Sequence, residues 1–343
     1  MLPAIGAIFT SNDTMIKKTL IPQSTAIYSS FPTFAEHKGI LYFFYREGIK
    51  NSSQPHGING KVYRCKYDKT DFLQAFNNPS EDTIPLSKTK ELVFESENEL
   101  DAILSSLEED SLFSLCTRTY VENKIGKTYV SFSDKPHFND RYEVTIKGIQ
   151  WLVFYGRAFK ENNRYIFPAY GILEGENITR PLLLSTDDLH RWTLLSYIKS
   201  PSDKVILNEN SIARVNEKFL MFIRQDNSPY GIWHCESNDL INWSKPLKLL
   251  SHAHAPSAYV FDNNLYISYR ALVDSHTSKI SMLTTNVHSS MVSLKYDISL
   301  IDTYKGNAFD GGYACINALD GDVYVLYYLG NINGEPSIKI ARY

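Results

Sequence analysis

The chain has 343 residues, of which 43% are hydrophobic and 21% charged, with a formal net charge of −3. That balance is ordinary for a globular protein and gives no electrostatic case for nucleic acid or an anionic membrane as partner. No stretch reaches the roughly 18 apolar residues of a membrane-spanning helix, and 23 Tyr and 18 Phe against 5 Met favour strands over helices.

The start, "MLPAIGAIFTSNDTMIKK", has a short apolar stretch with no basic residue before it. It is a poor secretory signal, so a cytoplasmic location or release without a classical signal is expected. One segment has helical character, "SENELDAILSSLEEDSLF" (95–112), and its acidity predicts a surface insertion. Elsewhere short strands are broken by Gly, Asn and Asp turns, the pattern of an all-β sandwich, barrel or propeller.

An internal repeat separates these options. A small or apolar run, a polar turn and an aromatic-aliphatic run ending in Tyr or Arg recur along the chain. The copies are "SFPTFAEHKGILYFFYR" (30–46), "LCTRTYVENKIGKTYVSFS" (115–133), "WLVFYGRAFKENNRYIFPAYG" (151–171), "ENSIARVNEKFLMFIR" (209–224), "APSAYVFDNNLYISYR" (255–270) and "GYACINALDGDVYVLYY" (312–328). Six copies give roughly 57 residues each, the size of a four-stranded propeller blade. "STDDLHRW" (185–192) and "SNDLINW" (237–243) place Ser and Asp on a turn just before a Trp at equivalent points of their repeats. The last copy is short of strands, so 14–23 ("TMIKKTLIPQ") is expected to complete it and close the ring. The expectation is a single all-β domain, a six-bladed β-propeller spanning 1–343.

In a hairpin, residues equally far from the turn lie side by side. Glu209 and Arg224 flank a turn at Asn216–Glu217, Ser30 and Arg46 one at Lys38–Gly39. His254 to Pro256 face Arg270 across Asp262–Asn263, and Tyr313 faces Tyr328 across Asp320–Gly321. If these are inner strands, Arg46, Glu209, Arg224, Arg270 and Tyr313 converge at one mouth of the channel. Arginine suits a planar carboxylate, and a Glu beside a Tyr can take the phenol proton and release a nucleophile. Glycoside transfer on an acidic sugar needs these parts together.

The four cysteines (Cys65, Cys116, Cys235, Cys315) have neither metal-ligand nor disulfide-framework spacing and read as buried free thiols. His252 and His254 alternate on a strand without a third ligand at useful spacing, so no metal or other cofactor is expected.

These segments resemble the sialidase (neuraminidase) superfamily. "NENSIARVNEKFLMFIRQD" is similar to its Glu-Pro-Ser-Ile…Arg segment, "HAPSAYVFDNNLYISYR" to the segment supplying the next arginine, and "GGYACINALDGDVYVLYY" to the one carrying the nucleophilic tyrosine. "STDDLHRW" is similar to the Asp-box, with Leu189 in place of Gly. The resemblance implies a glycosidase acting on a carbohydrate with a sialic-acid-like sugar, with Arg224, Arg270 and Arg46 as carboxylate ligands and Glu209 and Tyr313 as catalytic residues. Two departures stand out. Ser30-Phe31-Pro32 occupies the place of the family's Arg-Ile-Pro, and the loop 46–61, expected to supply the acid/base aspartate, has none and offers His56 instead. They bring the chain nearer to phage endosialidases. They also leave open a non-catalytic glycan-binding propeller, or a five-bladed glycosidase of the arabinanase or fructosidase kind.

Overall fold

A computed structural model describes residues 15–51, 56–96, 98–108, 111–121, 124–287 and 296–343. The apolar stretch on which the signal-peptide reading rests lies outside them. Six antiparallel sheets are arranged as blades; five have four strands and blade 3 has a fifth, short one, and the strands follow in sequence except at the outer edge of blade 6. The innermost strands are Ile27–His37, Glu99–Glu108, Ile149–Phe154, Leu207–Val215, Ala253–Phe261 and Gly311–Leu319 for blades 1 to 6. The outermost strand of blade 6 is Lys17–Ile21, which pairs antiparallel with Ser337–Arg342. The ring is thus closed by the start of the chain and leaves no free sheet edge at its seam.

The second strand of each blade lies between the faces of its neighbours, which is why runs such as Leu41–Tyr45, Phe219–Ile223 and Val323–Leu329 are almost continuously apolar. The buried side chains fall into six clusters, one at each interface between adjacent blades. Blades 1 and 2, for example, share Phe44, Val62, Leu104 and Phe113, and blades 6 and 1 share Leu20, Phe34, Phe43 and Tyr324. No apolar core fills the centre. The helix Lys69–Asn77, capped by the Asp68 carboxylate, buries Phe72 and Phe76 over the seam.

Two expectations are corrected. The described residues of 95–112 hold no helix: Glu99–Glu108 is the inner strand of blade 2. Two of its acidic residues are buried because each meets an arginine, Glu99 with Arg141 and Asp101 with Arg118. The repeat copy at 115–133 is therefore out of phase and covers the second and third strands of that blade. Six blades also exclude the five-bladed alternative.

The Ser/Asp-to-Trp turns adopt matching geometries. Asp188 accepts from the His190 and Arg191 amides, and Asp239 from those of Ile241 and Asn242. Leu189 and Leu240 take left-handed φ angles of 66° and 64°. Trp192 then packs at 4.9 Å against Phe167.

Ring closure gives a stability prediction. Leu20 is fully buried in the seam, so Leu20→Ala should lower the unfolding free energy by about 2–5 kcal/mol in denaturant titration. A loss below about 0.5 kcal/mol, the usual surface value, would mean that this strand does not close the ring.

Candidate active site

Every inner strand carries a register shift near its start, between Ser30 and Thr33, Glu99 and Asp101, Ile149 and Trp151, Leu207 and Asn210, His254 and Ser257, and Gly311 and Ala314. A bulge re-aims the side chains of its extra residues. Here Phe31, Pro32, Glu209, Pro256 and Tyr313 turn into one mouth of the channel. Phe31 and Ala255 adopt left-handed φ angles of 50° and 54° there, as does Gly312 at 85°. At Gly312 a Cβ would stand 2.8 Å from the Cβ of Arg270, so glycine is required.

The mouth opens into a cleft of about 130 Å³. At its centre the Tyr313 hydroxyl donates to Glu209 Oε1 at 2.9 Å. Arg224 Nη1 lies 2.8 Å from the same carboxylate oxygen and 3.0 Å from the phenol oxygen. Glu209 Oε2 is buried without a hydrogen-bond partner. Burial, reinforced by the Glu209 charge, pushes the Tyr313 phenol up, so the resting hydroxyl is neutral and reacts only as its proton is removed.

Across the channel, Asp101 lines the cleft and pairs with its cross-strand neighbour Arg118 at 2.7 Å. Burial raises its carboxyl against the opposing pull of Arg118. Arg118 also donates to the Tyr170 hydroxyl at 3.2 Å. In blade 3 the inner strand breaks between Phe154 and Phe159, and the break delivers Tyr155 and Arg157 to the cleft. Arg157 crosses to blade 6, donating to Asn317 Oδ1 at 2.8 Å. Among the described residues no group of three His, Cys, Asp or Glu side chains is placed to hold a metal ion.

The residues expected from sequence are brought together unevenly. Glu209, Tyr313 and His56 line the cleft. Arg224 touches the first two from outside the lining. Arg270 donates to the carbonyls of Phe309 and Gly311 and lies 3.2 Å from His254 Nδ1, with its guanidinium 5.6 Å from the Tyr313 ring. Arg46 spends its donors on the carbonyls of Glu99, His56 and Gly57. The expected convergence thus holds for Glu209, Arg224 and Tyr313, whereas Arg46 and Arg270 brace backbone beside the cleft. Sequence reasoning missed Asp101, Arg118, Tyr155, Arg157 and Tyr170. The Tyr-Gly-Arg interruption inside the third repeat is a visible signal for two of them.

Three solved structures share this architecture. The sialidase of Trypanosoma rangeli in complex with sialic acid superposes with a TM-score of 0.63 at 10% identity, over 98% of this chain and 60% of that one. The endosialidase of phage phi92 gives 0.68 at 10% identity, over 97% and 70%. The chain has the sialidase fold. The K499G mutant of the NanB sialidase from Streptococcus pneumoniae gives 0.62 at 11%, over 95% and 70%. This sialidase-type propeller therefore spans only about 60% of the length of the trypanosomal enzyme. No family model matches the chain, and no curated protein does.

The electrostatics of the mouth give a titration prediction. Burial, then the charge of Arg46, lowers His56 to about 3, and burial, then Arg270, lowers His254 to about 2. Both rings should stay neutral in histidine NMR from about pH 7 to about pH 4.5, where an unperturbed histidine titrates near 6.5. The unfolded chain binds these protons and the folded one does not, so stability falls as pH drops from about 6.5 towards 3. A midpoint near 6.5 for either ring would contradict the placement.

Proposed function

We propose that the chain is a glycoside hydrolase of sialidase type that acts on a glycan or polysaccharide containing an acidic, sialic-acid-like sugar. The observation that carries the reading is the Tyr313–Glu209 contact of 2.9 Å inside the cleft, with Arg224 on both groups. Tyr313 Oη attacks the anomeric carbon as its proton passes to Glu209, and the glycosidic carbon–oxygen bond breaks. Asp101, raised by burial, protonates the departing oxygen. Water then cleaves the glycosyl–tyrosine bond, giving its proton to Asp101, while Glu209 returns a proton to the phenol oxygen. Two displacements at one carbon retain its configuration.

Anion preference follows from charge. Arg118, Arg157, Arg224 and Arg270 stand at or beside the mouth against Asp101, Glu209 and Asp226, and Arg157 and Arg270 pair with no carboxylate among the described residues. In this reading Arg118 and Arg157, which line the cleft, face the substrate carboxylate, Arg224 holds Glu209 and Tyr313 from behind, Arg270 and Arg46 position Tyr313 and His56, and His56 is not the acid because its ring stays neutral. The Asp101–Arg118 ion pair favours a second reading, a glycan-binding propeller in which the carboxylate keeps no proton to give.

Reducing-sugar release from sialyllactose and from α2,8-linked polysialic acid separates the two. Wild type should turn over at least one of them, and Glu209→Gln, Tyr313→Phe and Asp101→Asn should each reduce kcat by about 10³-fold or more while the fold persists. Calorimetric binding without turnover selects the second reading. Neither binding nor turnover overturns both.

A further inference from the structure

We propose that Tyr28 and Asp310 hold the His56 imidazole in its Nδ1–H form, so that a bare Nε2 accepts a hydrogen bond from a hydroxyl or amide N–H of the bound sugar. The proposal rests on the glycan-binding reading of the cleft. Tyr28 belongs to the inner strand of blade 1, and Asp310 directly precedes that of blade 6. The Tyr28 hydroxyl donates its single hydrogen to Asp310 Oδ1. Its oxygen lies 3.2 Å from His56 Nδ1. With the hydroxyl hydrogen committed, that contact is a hydrogen bond only if the imidazole donates it. A neutral ring protonated at Nδ1 leaves Nε2 as an acceptor.

The ring cannot swing freely. The carbonyls of His56 and Gly57 are held by Arg46, and the imidazole packs edge-on against Phe31 at 5.0 Å and Tyr28 at 5.5 Å. His56 is part of the cleft lining. Its Nε2 has no hydrogen-bond partner among the described residues. Phe31 also meets the Tyr313 ring edge-on at 5.4 Å, which sets the acceptor one aromatic ring away from the phenol. A lone pair there repels a carboxylate and selects a donor. The sugar is therefore oriented twice, its acid towards the arginines and an O–H or N–H towards His56. Tyr28 and Asp310 act through His56 and are positioning residues.

Long-range proton–nitrogen NMR of the histidine rings in the full chain, at about pH 8 where the Asp310 carboxyl (raised by burial to about 6) is ionised, tests this. The His56 signals are assigned by their loss in His56→Gln. Expected are a protonated Nδ1 and a bare Nε2 in wild type, a shift towards the Nε2–H form in Tyr28→Phe, and movement of the Nε2 resonance on adding N-acetylneuraminic acid. Tyr28→Phe should weaken binding of that sugar by about three- to tenfold, the worth of one hydrogen bond. An Nε2–H ring in wild type, or an unchanged tautomer in Tyr28→Phe, overturns the relay. An unmoved Nε2 while calorimetry still reports the sugar bound overturns the recognition. If the sugar does not bind at all, the glycan reading and the recognition fall together, and the ligand-free spectra still decide the relay.

Discussion

A ring of six blades can bury apolar faces only where one blade meets the next, because its axis is lined by the edges of inner strands. All else in this chain follows from that constraint. The six apolar clusters lie at the six interfaces, and the inner strands line a channel of mixed apolar and polar groups. Charged side chains on the inner strands, out of place in a sandwich core, here face a channel that water and ligand can enter. The bulge near the start of each inner strand then decides which of them face the mouth.

Charge is the second constraint. Several arginines at one mouth repel one another in a partly desolvated place, and the fold answers in two ways. Arg118 and Arg224 are matched with Asp101 and Glu209. Arg46, Arg157 and Arg270 are held by neutral acceptors instead, chiefly backbone carbonyls. Carbonyl ligation engages the guanidinium donors without cancelling their charge. The same carbonyls belong to the segments that carry Tyr313 and His56, so each brace also fixes a cleft residue.

The repeat made the fold legible, because six copies of one hairpin can bury their faces only by stacking side by side. Glu209, Arg224 and Tyr313 were legible for the same reason: positions equidistant from a hairpin turn meet whatever the rest of the molecule does. Blade 2 was not legible. Its inner strand, "ELDAILSSLE", has the acidity of a surface helix, and only long-range pairing with Arg118 and Arg141 makes a buried strand of it. Tertiary partners there override local preference, and the loss of that strand hid Asp101 and put one repeat out of phase. Arg46 and Arg270 were misjudged for a subtler reason. Hairpin symmetry places their Cα atoms at the mouth, but the direction of a long side chain is set by which carbonyls lie within reach, and sequence does not hold that information.

Two carboxylates in one cleft can take different parts only if their surroundings differ. Glu209 shares an oxygen with the Tyr313 hydroxyl and the Arg224 guanidinium. Asp101 has one cation and no hydroxyl partner, and burial outweighs Arg118 in setting its proton affinity. In the proposed mechanism the acid would come from the second blade, the base from the fourth and the nucleophile from the sixth. The spacing around the ring, rather than any single loop, keeps the two protons apart. A ring closed by its own first strand holds that spacing more firmly than an open sheet would, and Leu20 of that strand lies in the cluster against which Tyr313 packs.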